Sequence, residues 1–170
     1  MALPPGLGVK GATGIVSVWR LEAAHHAKTW AKGIGAFIAG GRWSSRGRNV
    51  IYCSLDPSTA ILEVAVHKTF KALDTVPHKL LQIGISSPGL AHQLDVSKVP
   101  NKNWLRSGAV SAGQQKYGDE LLDQHPFLIV PSVVSGHCYN LIIDVNKGRG
   151  LFSRIKAEDF SLDTRLHPAP

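Results

Sequence analysis

The stretch Asn49-Val50-Ile51-Tyr52-Cys53-Ser54-Leu55-Asp56-Pro57-Ser58-Thr59-Ala60-Ile61-Leu62-Glu63-Val64-Ala65-Val66 decides the fold class. Its opening is an apolar, β-branched and aromatic run of the kind that forms a buried strand. Asp56-Pro57-Ser58 is a helix start. Asp56 is the candidate N-cap, because its carboxylate can accept from a first-turn N–H, and Pro57 suits the first helical position, where its missing N–H has no partner to lose. Thr59 to Lys71 continues as a helix. Glu63 lies in a segment that is apolar on almost every face, which predicts a helix packed on more than one side and a partly buried carboxylate in need of a partner.

Toward the N-terminus, Gly40-Gly41-Arg42-Trp43-Ser44-Ser45-Arg46-Gly47-Arg48 is too rich in glycine and polar residues for a regular element and reads as a loop. Glu22 to Lys32 is Ala-rich and reads as a helix stopping near Gly33 and Gly35. Residues 14–21 suit a first strand, with Val16 and Val18 alternating with Ser17 and Trp19 and with Arg20 at its end. Residues 1–13, broken by Pro and Gly, are expected to form a flexible arm. Toward the C-terminus come a strand at Lys79–Ile85, the segment Leu90–Asp95, a surface stretch from Pro100 to Arg106, a helix near Ser111–Asp123, and strands at Phe127–Val134 and Tyr139–Asp144. Strands and helices without regular alternation favour an α+β domain with mixed sheets and peripheral helices. At 170 residues and with no repeat or linker, the expectation is one domain spanning residues 14–170.

Composition narrows the function. With 44% hydrophobic and 18% charged residues the chain can bury a core and does not have the profile of a disordered protein. The longest apolar stretches, Phe127–Val130 and Leu141–Ile143, fall far short of the ~18 residues that span a bilayer. The N-terminus lacks the basic start and apolar core of a secretory signal, so a cytoplasmic location is expected. Cys53 and Cys138 are too few for a disulfide scaffold and read as buried thiols. The net charge is +7. Six of those charges fall in the first fifty residues, where Lys10, Arg20, Lys28, Lys32, Arg42, Arg46 and Arg48 face only Glu22. Such a field gathers anions: nucleic acid, a nucleotide or a phosphorylated metabolite, among which composition does not choose.

Several chemistries are absent from the pattern. Gly33 and Gly35 do not extend to GxGxxG, and there is no Walker GxxxxGK[ST]. The eight histidines show no HExxH, HxxxH or Cys/His ligand spacing, so no metal is expected. Ser135 lacks the GxSxG elbow. What remains is Arg20, the basic glycine loop with Arg42, Tyr52 on the following strand and Glu63 one helix later. Arginines that clamp a diphosphate, an aromatic that stacks on a planar base and a carboxylate that stabilises oxocarbenium-like charge would together cleave the glycosidic bond of an anionic nucleotide. Each residue also has a plain structural role open to it: surface or ion-paired arginines, a core tyrosine, a glutamate paired with an arginine. A basic nucleic-acid-binding module stays open as well, although apart from Trp43 the loop lacks the interleaved aromatics such readers use.

The order Val18-Trp19-Arg20-Leu21, Gly40-Gly41-Arg42-Trp43-Ser44, Val50-Ile51-Tyr52, Ala60-Ile61-Leu62-Glu63-Val64 with His67, then Val130-Pro131-Ser132, Tyr139-Asn140-Leu141 and Phe160-Ser161-Leu162-Asp163-Thr164-Arg165, resembles the RES domain, named for its Arg, Glu and Ser. The resemblance covers the chain from about Val18 to Arg165. It implies a fold similar to ADP-ribosyltransferases and a toxin of a type II toxin–antitoxin pair. It also implies that NAD is consumed as substrate, with no prosthetic group, by hydrolysis or phosphorolysis, or that ADP-ribose is transferred to a protein. Carried over, Glu63 would be the catalytic carboxylate, Arg20 and Arg42 would hold NAD together with Trp43, Tyr52 would stack near the nicotinamide, and Ser132 would line the same pocket. The implied partner is an Xre-type helix-turn-helix antitoxin covering the cleft, with any homo-oligomer formed through that complex, and with neither membrane nor direct nucleic-acid binding. The chain departs from the family at Ser44-Ser45, where Asn often followed by Pro is usual, and at Ile143-Asp144, where Asn-Pro is familiar.

Overall fold

A computed structural model describes residues 2–163 apart from Ser107 and Ala109. Thr164, Arg165 and the rest of the expected domain to residue 170 lie outside the described residues. Seven strands form one mixed sheet: β1 (Val16–Ala23), β2 (Val50–Ser54), β3 (His78–Ile85), β4 (Ala91–Gln93), β5 (Phe127–Pro131), β6 (Tyr139–Asp144) and β7 (Phe152–Phe160). Their spatial order is β4-β5-β6-β2-β1-β3-β7, with β4 and β5 parallel and every other neighbour antiparallel. The helices α1 (Ile34–Ala39), α2 (Pro57–Lys68), α3 (Phe70–Thr75) and α4 (Ala112–Leu122) are peripheral. The fold is α+β.

The central strands are covered on both faces, which is why β5 reads Phe-Leu-Ile-Val without alternation. Phe127 and Ile129 join Val16, Val18, Ile51, Leu141 and Ile143 in one core. Leu128 and Val130 join Trp43, Val50, Leu122 and Ile142 in another. A third, smaller cluster of Leu21, Ala65, Leu73 and Leu162 lies under α2 and α3. α2 begins as its sequence predicts: Asp56 accepts from the Thr59 N–H at 2.8 Å and Pro57 opens the first turn, a cap that contributes about 1 kcal/mol.

One pairing shapes the molecule. β1 is in register with β3 over its whole length, but it meets β2 only at Trp19 opposite Ser54. The sheet therefore parts between a β7-β3-β1 half and a β2-β6-β5-β4 half, joined at one bridge.

The structure corrects two expected helices and adds a strand. The helix expected over Glu22–Lys32 does not form. Glu22 and Ala23 instead extend β1 opposite Lys79 and His78, and short 3-10 turns follow at Ala24–His26 and Trp30–Lys32. The β ladder outweighs the local helix preference of the alanines. The expected helix to Lys71 is interrupted at Thr69, whose φ of 70° ends α2 and lets α3 turn away. β7, which no apolar pattern announced, is a nine-residue strand on the outer edge. Among the described residues of the segment 1–13 there is no regular element; Leu7 is only 2% exposed and belongs to the first core, and the Gly8 N–H donates to the Pro88 carbonyl at 2.9 Å. No helix among the described residues is long and apolar enough to cross a membrane.

Candidate active site

Where the sheet parts, a cleft of about 1420 Å³ opens, bounded by Arg20 and Glu22 of β1, Arg42 of the glycine loop, Tyr52 and Ser54 of β2, Glu63 of α2 and Asn140 of β6. The strand-then-helix stretch that decides the fold thus carries both walls: Tyr52 on the sheet, and Glu63 two turns into the helix that Asp56 caps.

Glu63 is held by one oxygen. Its Oε1 accepts from Ser132 Oγ at 2.9 Å and from Asn140 Nδ2 at 2.5 Å. Among the described residues nothing donates to Oε2, which leaves that oxygen for the cleft. Ser132 is only 1% exposed and joins the cleft through Glu63 rather than lining it. Its oxygen accepts from the backbone N–H groups of Val134 and Ser135 at 3.3 and 3.1 Å, so the hydroxyl proton is directed to Glu63. Asn140 is oriented from behind by Ser54, whose Oγ donates to Asn140 Oδ1 at 2.7 Å.

Arg20 is gripped on three sides. Nε and Nη2 bond one oxygen of Glu22 at 2.8 and 2.7 Å, and Nη1 donates to the Tyr52 carbonyl at 2.8 Å. Of its five N–H groups, two remain for a ligand. Arg42 donates from Nη1 to the Trp104 carbonyl at 2.5 Å and from Nη1 and Nη2 to the Arg106 carbonyl at 3.3 Å. Burial lowers its pKa, while the charges of Glu63 and Tyr52 push it back up. Arg42 and Glu63 therefore interact electrostatically across the cleft.

The glycine loop is built around Tyr52. The tyrosine oxygen accepts from the Trp43 N–H at 3.1 Å and pairs with Ser44 Oγ at 3.0 Å, and burial pushes the phenol up to about 12. Gly41 lies so close that a Cβ there would stand 2.4 Å from the tyrosine oxygen. Only glycine fits. Trp43, expected among the residues that hold the substrate, is 2% exposed and packs in the second core, its ring 5.7 Å from that of Trp104. Its ring anchors the loop from beneath, and its place in the site is its N–H on Tyr52. Ser44, one of the two departures after GGRW, is fully buried and completes the same contact. Burial also pushes the Cys53 thiol up to about 12, which keeps it out of nucleophilic chemistry. Among the described residues no group of three His, Cys, Asp or Glu side chains could hold a metal ion.

A model of the RES domain matches residues 17–164. The chain belongs to the RES domain family. Two curated relatives are each named Toxin Res. The one from Pseudomonas putida is 26% identical over 151 residues, covering 88% of this chain and 98% of that protein. The one from Photorhabdus laumondii is 29% identical over 153 residues, covering 88% and 96%. A solved chain of the M. tuberculosis MbcT–MbcA toxin–antitoxin complex shares the fold with a TM-score of 0.63 at 18% identity, over 88% of this chain and 86% of that one. In this RES domain, Arg20, Arg42, Tyr52 and Glu63 border one cleft and Ser132 supports Glu63.

Three cleft residues escaped the sequence reading. Glu22 carried a usable signal, since Arg-x-Glu on a strand places both side chains on one face. Ser54 carried none of its own, and Asn140 stood in the Tyr139-Asn140-Leu141 string of the resemblance without a role assigned to it. They meet because β2 and β6 pair in a register that sets them opposite each other.

Proposed function

We propose that this RES domain is the toxin of a toxin–antitoxin pair and that it arrests growth by cleaving the nicotinamide–ribose bond of NAD. The observation that carries the reading is Glu63: a carboxylate tied through one oxygen, with the other left to a cleft that also holds arginines. As the N-glycosidic bond lengthens, its electron pair leaves with the nicotinamide, neutralising the pyridinium, and positive charge grows on the ribose. A fixed carboxylate oxygen stabilises that charge where it develops. The new bond at the ribose carbon then forms to an oxygen of water or phosphate, which passes its proton to solvent.

Arg42 and the two spare N–H groups of Arg20 would bind the diphosphate, and the Tyr52 ring would lie beside the nicotinamide. An Xre-type antitoxin would cover the cleft in the cytoplasm, where NAD is also found. The relatives named as toxins and the likeness to a chain of a toxin–antitoxin complex support this part of the reading. A nucleic-acid groove has less support, because Arg48 of the basic region is engaged by Asp123 and Asp144 and the loop's one aromatic, Trp43, is buried and cannot stack on a base.

The test is release of free nicotinamide from NAD by the purified protein, with and without phosphate, alongside Glu63→Gln. Release that falls by about 10²-fold or more in the variant is expected, and phosphate dependence separates phosphorolysis from hydrolysis. Release that occurs only when a protein acceptor is supplied, with ADP-ribose appearing on that acceptor in matching amount, would replace NAD degradation by protein modification, and no release under any condition would overturn both.

A further inference from the structure

We infer that Asn140, braced from behind by Ser54, is a positioning residue that sets which oxygen of Glu63 faces the substrate. The inference rests on reading Glu63 as the catalytic carboxylate.

The geometry is a short chain of hydrogen bonds. Ser54 Oγ donates to Asn140 Oδ1 at 2.7 Å, and Asn140 Nδ2 donates to Glu63 Oε1 at 2.5 Å. An amide side chain has an accepting end and a donating end, whereas a carboxylate only accepts. Turned the other way, Asn140 would set its carbonyl against Glu63 and repel it. The carboxylate itself excludes that orientation, and the Ser54 proton, given to Oδ1, adds a second bond that braces the amide in the remaining one. Ser54 is itself a fixed point: it is buried, it lies opposite Asn140 in the β2–β6 ladder, and it lies opposite Trp19 at the bridge that joins the two halves of the sheet. The chain of donors therefore starts from the one β2 residue that is paired with a strand on each side. Ser132 supplies a second donor to the same Oε1. Both bonds fall on one oxygen, so together they fix the rotation of the carboxylate and leave Oε2 toward the substrate.

Loss of orientation costs rate rather than binding, because Asn140 and Ser54 act on the group that meets the transition state. In steady-state NAD cleavage, Ser54→Ala should lower kcat about tenfold with KM little changed, and Ser54→Thr, which keeps the hydroxyl, should restore it. Asn140→Asp, close in shape but without a donor, should lower kcat about a hundredfold. Thermal melts of each variant separate these effects from unfolding. A readout independent of NAD is the ¹⁵N–¹H resonance of the Asn140 side-chain amide, assigned by its loss in Asn140→Asp. It should shift in Glu63→Gln and in Ser54→Ala and hold its place in Ser54→Thr. A wild-type kcat in a folded Ser54→Ala, a loss that Ser54→Thr does not restore, or an amide indifferent to Glu63→Gln would each overturn the inference. If the wild-type protein releases no nicotinamide, the NAD reading falls and the amide resonance alone decides whether the positioning contact exists.

Discussion

Arg20 on β1 donates from Nη1 to the backbone carbonyl of Tyr52 on β2 at 2.8 Å, across the line where the sheet parts. The same guanidinium holds Glu22 through two nitrogens. One side chain thus ties the halves of the sheet together and presents its remaining N–H groups to the cleft.

Glu22 is 9% exposed, so removing its cation strands a nearly buried charge. Arg20→Ala should destabilise the fold by about 2–3 kcal/mol, read as a lower urea midpoint. The double variant Arg20→Ala/Glu22→Gln should recover about half of that, because the stranded charge is gone. Strict additivity of the two single changes would show that the pair is not coupled.

Alkaline pH should unfold the protein through buried acids. Burial raises the Tyr52 phenol from 10.0 to about 12 and the Cys53 thiol from 9.0 to about 12. Between those values the unfolded chain has released protons that the folded chain still holds. Stability is then full below about pH 9 and falls as pH rises toward 12, at about 1.4 kcal/mol per pH unit for each group. Denaturation curves taken across that range should show the fall beginning at the thiol's lower limit. Cys53→Ala should postpone it to about pH 10, and Tyr52→Phe should reduce its slope above that point.

Gly41→Ala should damage the loop and the site together. Its Cβ would press on the tyrosine oxygen and ring, at 2.4 and 2.6 Å, and the loop must lift to relieve it, at about 1–3 kcal/mol. A lower melting temperature with a raised KM for NAD is expected. Gly35→Ala is the control: a Cβ there meets nothing within 4 Å, and within α1 it should stabilise by about 0.5–1 kcal/mol.

Arg48 is basic and structural. It bonds Asp144 at 2.7 and 3.1 Å, Asp123 at 2.7 Å and the Asp119 carbonyl at 3.1 Å, so it pins the end of the glycine loop to β6 and α4. Arg48→Ala leaves the buried Asp144 without its cation and should lower stability by about 2–3 kcal/mol. Activity per folded molecule, measured well below the melting temperature, should stay close to wild type. A catalytic collapse in a folded variant would place Arg48 in the chemistry instead.

The parts of the fold that were legible in the sequence are those in which local and tertiary preferences agree. The cap at Asp56, the strand at Tyr52, the helix near Ser111–Asp123 and the apolar run of β5 all satisfy short-range rules. Segments decided by a distant partner were not legible. Glu22 and Ala23 are strand because β3 lies beside them. β7 is strand although Arg154, Lys156, Glu158 and Asp159 leave it almost wholly exposed, so no burial pattern marks it. The same division runs through the site. Arg20, Arg42, Tyr52 and Glu63 belong to short motifs with a chemistry of their own, whereas the polar strand residues Ser54 and Asn140, the latter in a motif that assigns it no chemistry, gain a role when the β2–β6 register brings them together.

The parting of β1 from β2 gives the sheet two inner margins as well as two outer ones. Beyond the Trp19–Ser54 bridge, main-chain groups along those margins have no partner strand across the gap, and Tyr52 already offers its carbonyl there to a side chain. Whatever occupies the cleft therefore meets peptide groups as well as arginines and a carboxylate. Apart from proline, which deletes an N–H, substitution does not alter a peptide group. An occupant that bonds to these margins is recognised by a surface that point mutation can scarcely edit, and resistance to it would have to arise in the side chains that border the cleft.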